Sequence, residues 1–525
     1  MYRWKVCEEN LLCTFAMYNL EKQPVRVETI RREGDFCFPA VIPRAVFLTK
    51  VMIPGFGGAY LFADNGGMGY LPDDIPRDFL YEAAKTRLRE VRDYMEDFRQ
   101  SFGYRPKEPA DRLRAAEELL AAQGETAPAG KALCEILKAG EAMVLLAAEN
   151  KTAARGRRDN FCLGGCMKGF TDGGETWRKA FVKPFGHGVI PLHWGCLEPV
   201  RGENHYDLVL AMLDWCKEHG ITVRGHALVW FCCFWEGQSW MRDMTFPEVR
   251  EHVVRRAEML MRARPNGFDY VDINEPLQNN PYNFTLDQFF AICKDVYDVV
   301  KKWSPQTKIM VNLCNEWQEK CSFDPNKFEE NVTARAAIGL PGFAPEMEYV
   351  WSVDDFLQKC REEGLVVDVL GLQMHDYPYE LFGTMQLLEF WHQKWGLPIH
   401  LTEVSAPSSM EQTPYAMRRR PGPVTAYWHR PWDEWLQAQW YHDFVTLFYS
   451  LDYVECCVSW SLSDEPRQWA DYLEGHVNEM FRLQAYCYDG LLDEENRPKP
   501  AYHTLCGLAE QWGLKTGGAH PDETG

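Results

Sequence analysis

Two hydrophobic patterns alternate along residues 155–515. Short apolar runs, typical of buried strands, are separated by longer stretches with apolar residues three or four positions apart, typical of amphipathic helices. The strand-like runs are FCLGGCM, VIPLHW, TVRGHALVW, FDYVDIN, KIMVN, VDVLGLQM, IHLT and VECCVSWS. The helical stretches include residues 206–219, 246–262, 286–303, 385–395, 432–450 and 502–512. This alternation predicts an α/β protein with a closed (β/α)8 TIM barrel. An open doubly wound sheet is the alternative, but no glycine-rich phosphate loop follows any strand.

The first 150 residues follow a different pattern. Short alternating runs broken by glycine and proline fill residues 25–70 and predict a small antiparallel sheet. Helical spacing follows over about residues 80–98, 111–122 and 131–149. We therefore expect a smaller N-terminal region of β-sheet plus helices over 1–150, a polar boundary near 151–160, and the barrel over 155–515. The N-terminal region has no catalytic motif, so it is either an accessory carbohydrate-binding module or a support that packs on the barrel.

Composition narrows the possible partners. The net charge of −20 argues against nucleic acid, and no apolar run is long enough to span a bilayer. The 18 cysteines form no C-x-x-C pair and lie singly or as doublets in apolar runs, which favours buried thiols over zinc ligands or disulfides. The N-terminus does not resemble a signal peptide, so we expect a cytoplasmic protein. No cofactor or metal is implied.

Polar and aromatic residues stand where the predicted strands end. In a parallel barrel these ends meet at one face, which is where active sites lie. The residues are His193 and Trp194 after the second strand, Trp230 after the third, Asn274 and Glu275 after the fourth, Asn312 after the fifth, Gln373 and His375 after the sixth, Glu403 after the seventh and Trp460 after the eighth. Amides, imidazoles, carboxylates and indoles together are typical of a sugar-binding site, so we expect an oligosaccharide or polysaccharide substrate.

Two of these residues, Glu275 and Glu403, can carry out hydrolysis. Pro276 holds Glu275 in extended geometry at the rim of its strand, because proline restricts the residue before it. A pair of carboxyl groups at one mouth can cleave a glycosidic bond: one protonates the leaving oxygen, and the other attacks the anomeric carbon or activates water. The distance between them decides between retention and inversion, and sequence cannot measure it.

Six motifs in order carry a resemblance that spans the barrel. They are WGCLEPVRGENHYD, VRGHALVW, INE, LGLQMH, LTEV and RPKPAY. Through them residues 161–512 resemble the family 10 glycoside hydrolases, the retaining endo-β-1,4-xylanase family. The resemblance implies that Glu275 is the general acid/base and Glu403 the nucleophile. It further implies that Asn274 binds the 2-hydroxyl of the sugar and that His375 lies beside Glu403. His226, Gln373 and Asn312 would line the site, and Trp194 and Trp460 would form apolar walls.

The departures from the family concern sugar recognition. Where the xylanases carry Glu-Asn and a lysine before the second-strand tryptophan, this chain has Val189, Ile190 and His193. Phe231 replaces a histidine after GHALVW, and Val404-Ser405 replaces Leu-Asp after the nucleophile. We therefore expect a retaining, xylanase-like glycoside hydrolase with altered recognition. The alternatives are a β-glycosidase of another sugar in the same superfamily and a non-catalytic carbohydrate-binding barrel.

The segment 405–432, after the seventh strand, is unusually long for a loop. It contains Arg418, Arg419 and Arg420, followed by Tyr427 and Trp428. Guanidinium groups bind carboxylates and aromatic rings stack on sugars, so one hypothesis is that this loop folds over the cleft and favours acidic sugars. A solvated surface loop is the alternative.

Overall fold

The computed structural model describes most of the chain. The described residues are 1–122, 129–171, 173–192, 194–198, 200–230, 240, 244–275, 282, 284–313, 317–318, 352–374, 379–412, 425–460, 462–464 and 488–518.

Eight parallel strands close into a barrel, which confirms the predicted fold class. All strand pairs in the barrel are parallel, in the order β10-β11-β12-β13-β14-β15-β8-β9. The strands are β8 (Cys162–Cys166), β9 (His187–Pro191), β10 (Thr222–His226), β11 (Tyr270–Asn274), β12 (Lys308–Leu313), β13 (Val369–Met374), β14 (Ile399–Val404) and β15 (Val454–Ser459). Because their central residues are buried, they read as continuous apolar runs rather than alternating ones.

Helices lie between the strands and begin at residues suited to capping. Thr245 and Thr285 each form a capping box with an acidic or amide side chain three residues later, which satisfies the exposed N–H groups of the first turn. The helices are α4 (Gly174–Val182), α5 (Trp194–Leu197), α6 (Tyr206–Glu218), α7 (Phe246–Ala263), α8 (Leu286–Trp303), α9 (Val353–Glu362), α10 (Leu381–Trp395), α11 (Glu434–Ser450) and α12 (Pro500–Gln511).

Among the residues that the structure describes, two small sheets and three α-helices precede the barrel. One sheet has the order β3-β4-β1-β7 and the other β2-β5-β6. The strands are β1 (Tyr2–Lys5), β2 (Ala16–Tyr18), β3 (Ile30–Arg32), β4 (Asp35–Phe38), β5 (Val46–Ile53), β6 (Gly57–Ala63) and β7 (Pro76–Asp78), and the helices are α1 (Phe79–Phe102), α2 (Lys107–Ala121) and α3 (Ala129–Arg155). Helix α3 runs into the predicted polar boundary at 151–160.

The N-terminal region is joined to the barrel by buried polar contacts. The Arg87 guanidinium on α1 forms an ion pair with Glu380, and both side chains are buried. Glu141 on α3 accepts hydrogen bonds from the Leu381 backbone N–H at 3.1 Å and from Trp428 Nε1 at 2.9 Å. One hydrophobic core runs through both parts. The two parts therefore share a core, although the division into two domains stays a prediction.

No helix among the described residues is both long enough and apolar enough to cross a bilayer.

Candidate active site

The structure brings five of the predicted polar residues to one end of the barrel. Asn274 ends β11 and Glu275 follows it, while Asn312, Gln373 and Glu403 lie near the carboxyl ends of β12, β13 and β14. Glu403 lies inside β14, paired in register with Gln373, rather than after the strand. All five side chains are buried, with exposed fractions between 0 and 7%.

Hydrogen-bond donors surround the Glu403 carboxylate. Its Oε1 accepts from Asn312 Nδ2 at 3.0 Å and from Gln373 Nε2 at 2.9 Å. The Nε2 atom of His226 lies 3.4 Å from the same oxygen. Asn312 is itself oriented, because its Oδ1 accepts a hydrogen bond of 2.6 Å from the Thr402 hydroxyl. Donors aimed at a carboxylate stabilise its ionised form, which is the form a nucleophile needs.

Glu275 has the opposite environment. Burial and the nearby charge of Glu403 raise the pKa of Glu275 from 4.5 to about 7, and His226 and Gln373 offset only part of this rise. A carboxylate oxygen of Glu275 lies within 4.8 Å of one from Glu403. Glu275 therefore keeps its proton at pH values where an ordinary glutamate is ionised, as a general acid must.

A buried charge network holds His226 against both carboxyl groups. Its Nδ1 atom lies 2.5 Å from Asp272 Oδ2, and Arg224 Nη2 lies 2.6 Å from the same oxygen. Burial alone would raise the pKa of Asp272, but Arg224 and His226 lower it below the ordinary value. An ionised Asp272 can only accept, so His226 Nδ1 carries a hydrogen and Nε2 faces Glu403 and Glu275. The sequence analysis predicted His226 at this position but not Arg224 and Asp272. Both could have been found as charged residues inside otherwise apolar strands.

Trp460 and Lys168 form one wall of the site. The Trp460 ring is fully buried and meets the His226 ring edge to face, with the centroids 5.3 Å apart. The Lys168 ammonium lies 4.1 Å from the centre of the Trp460 ring. Lys168 follows β8 in a 3-10 turn, Met167–Gly169, and sequence reasoning missed it because no motif marks it. Val189 belongs to the same buried apolar cluster as Trp460. Val189, which stands where the xylanases carry a polar residue, is therefore part of the apolar core.

The other predicted residues are placed as follows. Asn274 donates from Nδ2 to Cys293 Sγ at 3.3 Å, and its Oδ1 atom has no hydrogen-bond partner among the described residues. Trp194 donates to Glu198 at 3.1 Å and packs against Trp240. His193 and His375 lie outside the described residues, so their predicted roles stay predictions.

The loop after β14 corrects one expectation. Trp428 is 1% exposed and donates to Glu141, so its ring is not a stacking face for sugar. The backbone carbonyl of Tyr427 accepts from Gly58 N–H at 3.2 Å, which ties this part of the loop to the N-terminal region. Aromatic side chains here are used for packing because the N-terminal region covers them. Arg418, Arg419 and Arg420 lie outside the described residues.

The side chains of His226, Glu275 and Glu403, at the centre of the site, also lie close enough together to contact one cation. One atom each of His226, Glu275 and Glu403 lies within 4.8 Å of the others. The raised pKa of Glu275 reduces the repulsion between the two carboxyl groups near neutral pH.

Comparisons with known proteins point to plant xylanases. The chain is 24% identical over 296 residues to endo-1,4-beta-xylanase 5-like of Arabidopsis thaliana, covering 51% of this chain and 45% of that protein. It is 25% identical over 183 residues to endo-1,4-beta-xylanase 1 of the same plant, covering 34% of this chain and 18% of that protein. The chain spans less than half the length of each curated relative it matches. No family model matches the chain. These distant relatives confirm the resemblance that the motifs indicated.

Solved structures of xylanases also align with the chain. An endoxylanase of family 10 from a sugarcane soil metagenome is 17% identical, with a TM-score of 0.44, covering 67% of this chain and 98% of that one. Native xylanase 10B from Thermotoga maritima is 16% identical, with a TM-score of 0.44, covering 70% of this chain and 98% of that one.

Proposed function

We propose that this protein is a divergent family 10 glycoside hydrolase that cleaves β-linked glycosides with retention of configuration. Glu275 is the general acid/base and Glu403 is the nucleophile. The observation that carries the proposal is the asymmetry of the carboxyl pair: Glu403 is held among hydrogen-bond donors, whereas the pKa of Glu275 is raised to about 7. The curated xylanase relatives support the same reaction class.

The two residues act in sequence. In the first step, Glu275 gives its proton to the glycosidic oxygen as that bond breaks, and a Glu403 oxygen forms a bond to the anomeric carbon. In the second step, Glu275, now ionised, takes a proton from a water molecule that attacks the same carbon and releases Glu403. Carboxylate oxygens within 4.8 Å of each other support a covalent intermediate, because an inverting pair needs a wider gap to hold water.

The buried network beneath the pair orients His226 toward both carboxyl groups. Arg224 and His226 keep Asp272 ionised, and Asp272 fixes the orientation of the His226 ring. His226 then presents Nε2 to both carboxyl groups, 3.4 Å from Glu403 and 3.8 Å from Glu275. When Glu275 loses its proton in the first step, His226 is placed to accommodate the new negative charge. We assign His226 as a positioning and electrostatic residue.

Substrate recognition differs from that of the xylanases in our proposal. Val189 and Ile190 are fully buried and offer no hydrogen bond to sugar. Lys168 brings an ammonium group to the wall formed by Trp460, so a donor comes from β8 instead of from the strand that supplies it in the xylanases. This arrangement favours a short or decorated oligosaccharide over a long unbranched xylan chain.

Chemical rescue of two variants tests the assignment. Glu403→Ala and Glu275→Ala are assayed on aryl β-glycosides with azide, and the product configuration is read by NMR. The nucleophile variant should yield the inverted glycosyl azide, because azide attacks directly. The acid/base variant should yield the retained glycosyl azide, because the glycosyl-enzyme still forms.

A barrel carboxylate outside the site provides the control. Glu455 lies on β15 at the opposite end of the barrel and is half-buried, so Glu455→Gln should keep wild-type turnover. Exchanged product configurations would reverse the roles of Glu275 and Glu403. If the wild-type protein binds oligosaccharides but hydrolyses neither these nor aryl glycosides, the hydrolase proposal is wrong. The protein would then be a non-catalytic carbohydrate-binding barrel.

A further inference from the structure

A second cluster of reactive side chains lies at the floor of the barrel, at the end opposite Glu275 and Glu403. Cys162 and His187 are the first residues of β8 and β9, and Cys456 is paired in register with Cys162. One ligand atom from each of the three residues lies within 4.8 Å of the others. His187 and Cys456 are fully buried, while Cys162 is partly exposed. The proposed hydrolysis uses none of them.

The tautomer of His187 follows from its neighbours. The Thr222 hydroxyl donates its only hydrogen to the Gly186 carbonyl at 3.1 Å. The contact of 2.9 Å between His187 Nδ1 and the same hydroxyl oxygen must therefore be donated by His187. With the hydrogen on Nδ1, the neutral imidazole presents an Nε2 lone pair to a metal, and Nε2 has no hydrogen-bond partner among the described residues.

A bare imidazole nitrogen beside two thiols matches the needs of a zinc ion. Zinc binds sulfur at about 2.3 Å and nitrogen at about 2.0–2.1 Å in tetrahedral sites, so its ligand atoms lie about 3.5–3.8 Å apart. Separations of at most 4.8 Å need only a small contraction to reach that geometry. An Nδ1–H that donates to a hydroxyl is the outer-shell contact that orients a metal-binding histidine.

The net charge of a zinc-loaded site and the space around His187 are both compatible with a zinc ion at the floor of the barrel. Two thiolates and one Zn²⁺ sum to zero, so the loaded site places no net charge in the buried interior. A side chain at Gly164 would lie 3.1 Å from the His187 ring, so glycine at this position leaves room for the imidazole. His400, the register partner of Cys456, has its ring centre 6.0 Å from that of His187; its Nε2 faces the Glu455 carboxylate at 3.8 Å, and its Nδ1 has no hydrogen-bond partner among the described residues.

We infer that Cys162, His187 and Cys456 form a zinc site that ties β15, β8 and β9 together at the floor of the barrel, with His400 as the candidate fourth ligand. Its role is structural. The three strands come from both ends of the barrel sequence, because β8 and β9 begin the barrel and β15 completes it. The ion therefore links the last strand of the barrel to the first two. The partly exposed Cys162 lies where the ion can enter from solvent.

Metal analysis of the full chain, purified under reducing conditions with zinc present and then desalted, tests the inference. We expect about one zinc per chain, as for a structural site. Cys456→Ala and His187→Ala should reduce the zinc content at least about tenfold. The matched control is Cys457→Ala: Cys457 is an equally buried thiol on the same strand, but it lies outside the cluster, and its variant should keep the metal.

Cobalt substitution in the unaltered protein decides the question if the variants fail to fold. Bound Co²⁺ should give a thiolate-to-cobalt charge-transfer band and the intense visible bands of a tetrahedral ion. A wild-type protein that keeps no zinc after desalting, a cobalt spectrum without the thiolate band, or a Cys162–Cys456 disulfide in the reduced protein would overturn the inference. So would equal metal loss in the Cys457 variant.

Discussion

The raised pKa of Glu275 has a consequence for stability that can be tested without any substrate. Replacing Glu275 with glutamine removes a group that resists ionisation in the folded protein. Burial and the charge of Glu403 both oppose the ionised form, and both act only after folding. The Glu275→Gln variant should therefore be more stable than the wild-type protein at alkaline pH.

The size and sign of the effect follow from the pKa. A pKa raised from 4.5 to about 7 means that ionising Glu275 costs about 3 kcal/mol more in the folded protein than in the unfolded chain. Between these pH values the folded state holds the proton and the unfolded chain has lost it. The contribution of Glu275 to the free energy of unfolding of the wild-type protein therefore falls as pH rises from 4.5 to about 7 and stays constant above that range. Glutamine does not ionise, so the variant avoids this loss.

Thermal unfolding of both proteins across this pH range measures the effect. An unfolding entropy of about 2 cal/mol/K per residue gives about 1 kcal/mol/K for the chain, so about 3 kcal/mol corresponds to about 3 °C in Tm. The Tm advantage of the variant should grow from pH 4.5 to 7 and then level off. Titrating groups away from the carboxyl pair, such as Asp464 with its pKa raised to about 7, cancel because both proteins contain them in the same environment. A Tm difference that does not change with pH would refute the assignment of this pKa to Glu275.

Further predictions concern activity and the packing between the two parts. The alkaline limb of kcat/KM should fall near pH 7, because Glu275 must be protonated to act as the acid; a limb that persists in a variant lacking this carboxyl would contradict that origin. Lys168→Met should lower kcat/KM about 10- to 150-fold, the loss expected for a hydrogen bond from a charged donor, while Tm changes little. Polymeric xylan should be a poorer substrate than short oligosaccharides in a reducing-sugar assay, because Val189 offers no hydrogen bond, and activity equal to that of typical xylanases would contradict this. Glu141→Leu should lower Tm more than Glu141→Gln, because leucine leaves the Trp428 indole N–H without its acceptor.

The contacts of the N-terminal region indicate its role. Arg87 and Glu141 reach the segment that begins α10, and Trp428, which follows the nucleophile strand, packs beneath the same region. These barrel segments follow β13 and β14, the strands that carry Gln373 and Glu403. The N-terminal region therefore contacts the segments that follow these two strands; this favours the support role over an independent carbohydrate-binding module, and the role stays a prediction.

Local pattern was sufficient to predict the barrel and the positions of its carboxyl groups. Strand runs and helical spacing depend on neighbouring residues, so the alternation from Cys162 to Gln511 could be recognised without coordinates. Parallel strands place their carboxyl ends at one face, and this topological rule brought Glu275, Glu403, Asn312 and Gln373 together before any distance was known. The structure then placed these four side chains in contact range.

The tertiary structure decided what depends on contacts between residues far apart in the chain. The pKa of Glu275 depends on its burial and on Glu403, more than a hundred residues away, and neither effect is written in a local motif. The sequence offers Trp428 as a stacking face for sugar, whereas the fold buries it and directs its indole N–H to Glu141. Cys162 and Cys456 begin and end the barrel sequence, and only closure of the barrel makes them neighbours. Sequence determines which elements form because their patterns are local, whereas burial, charge and proximity belong to the folded chain.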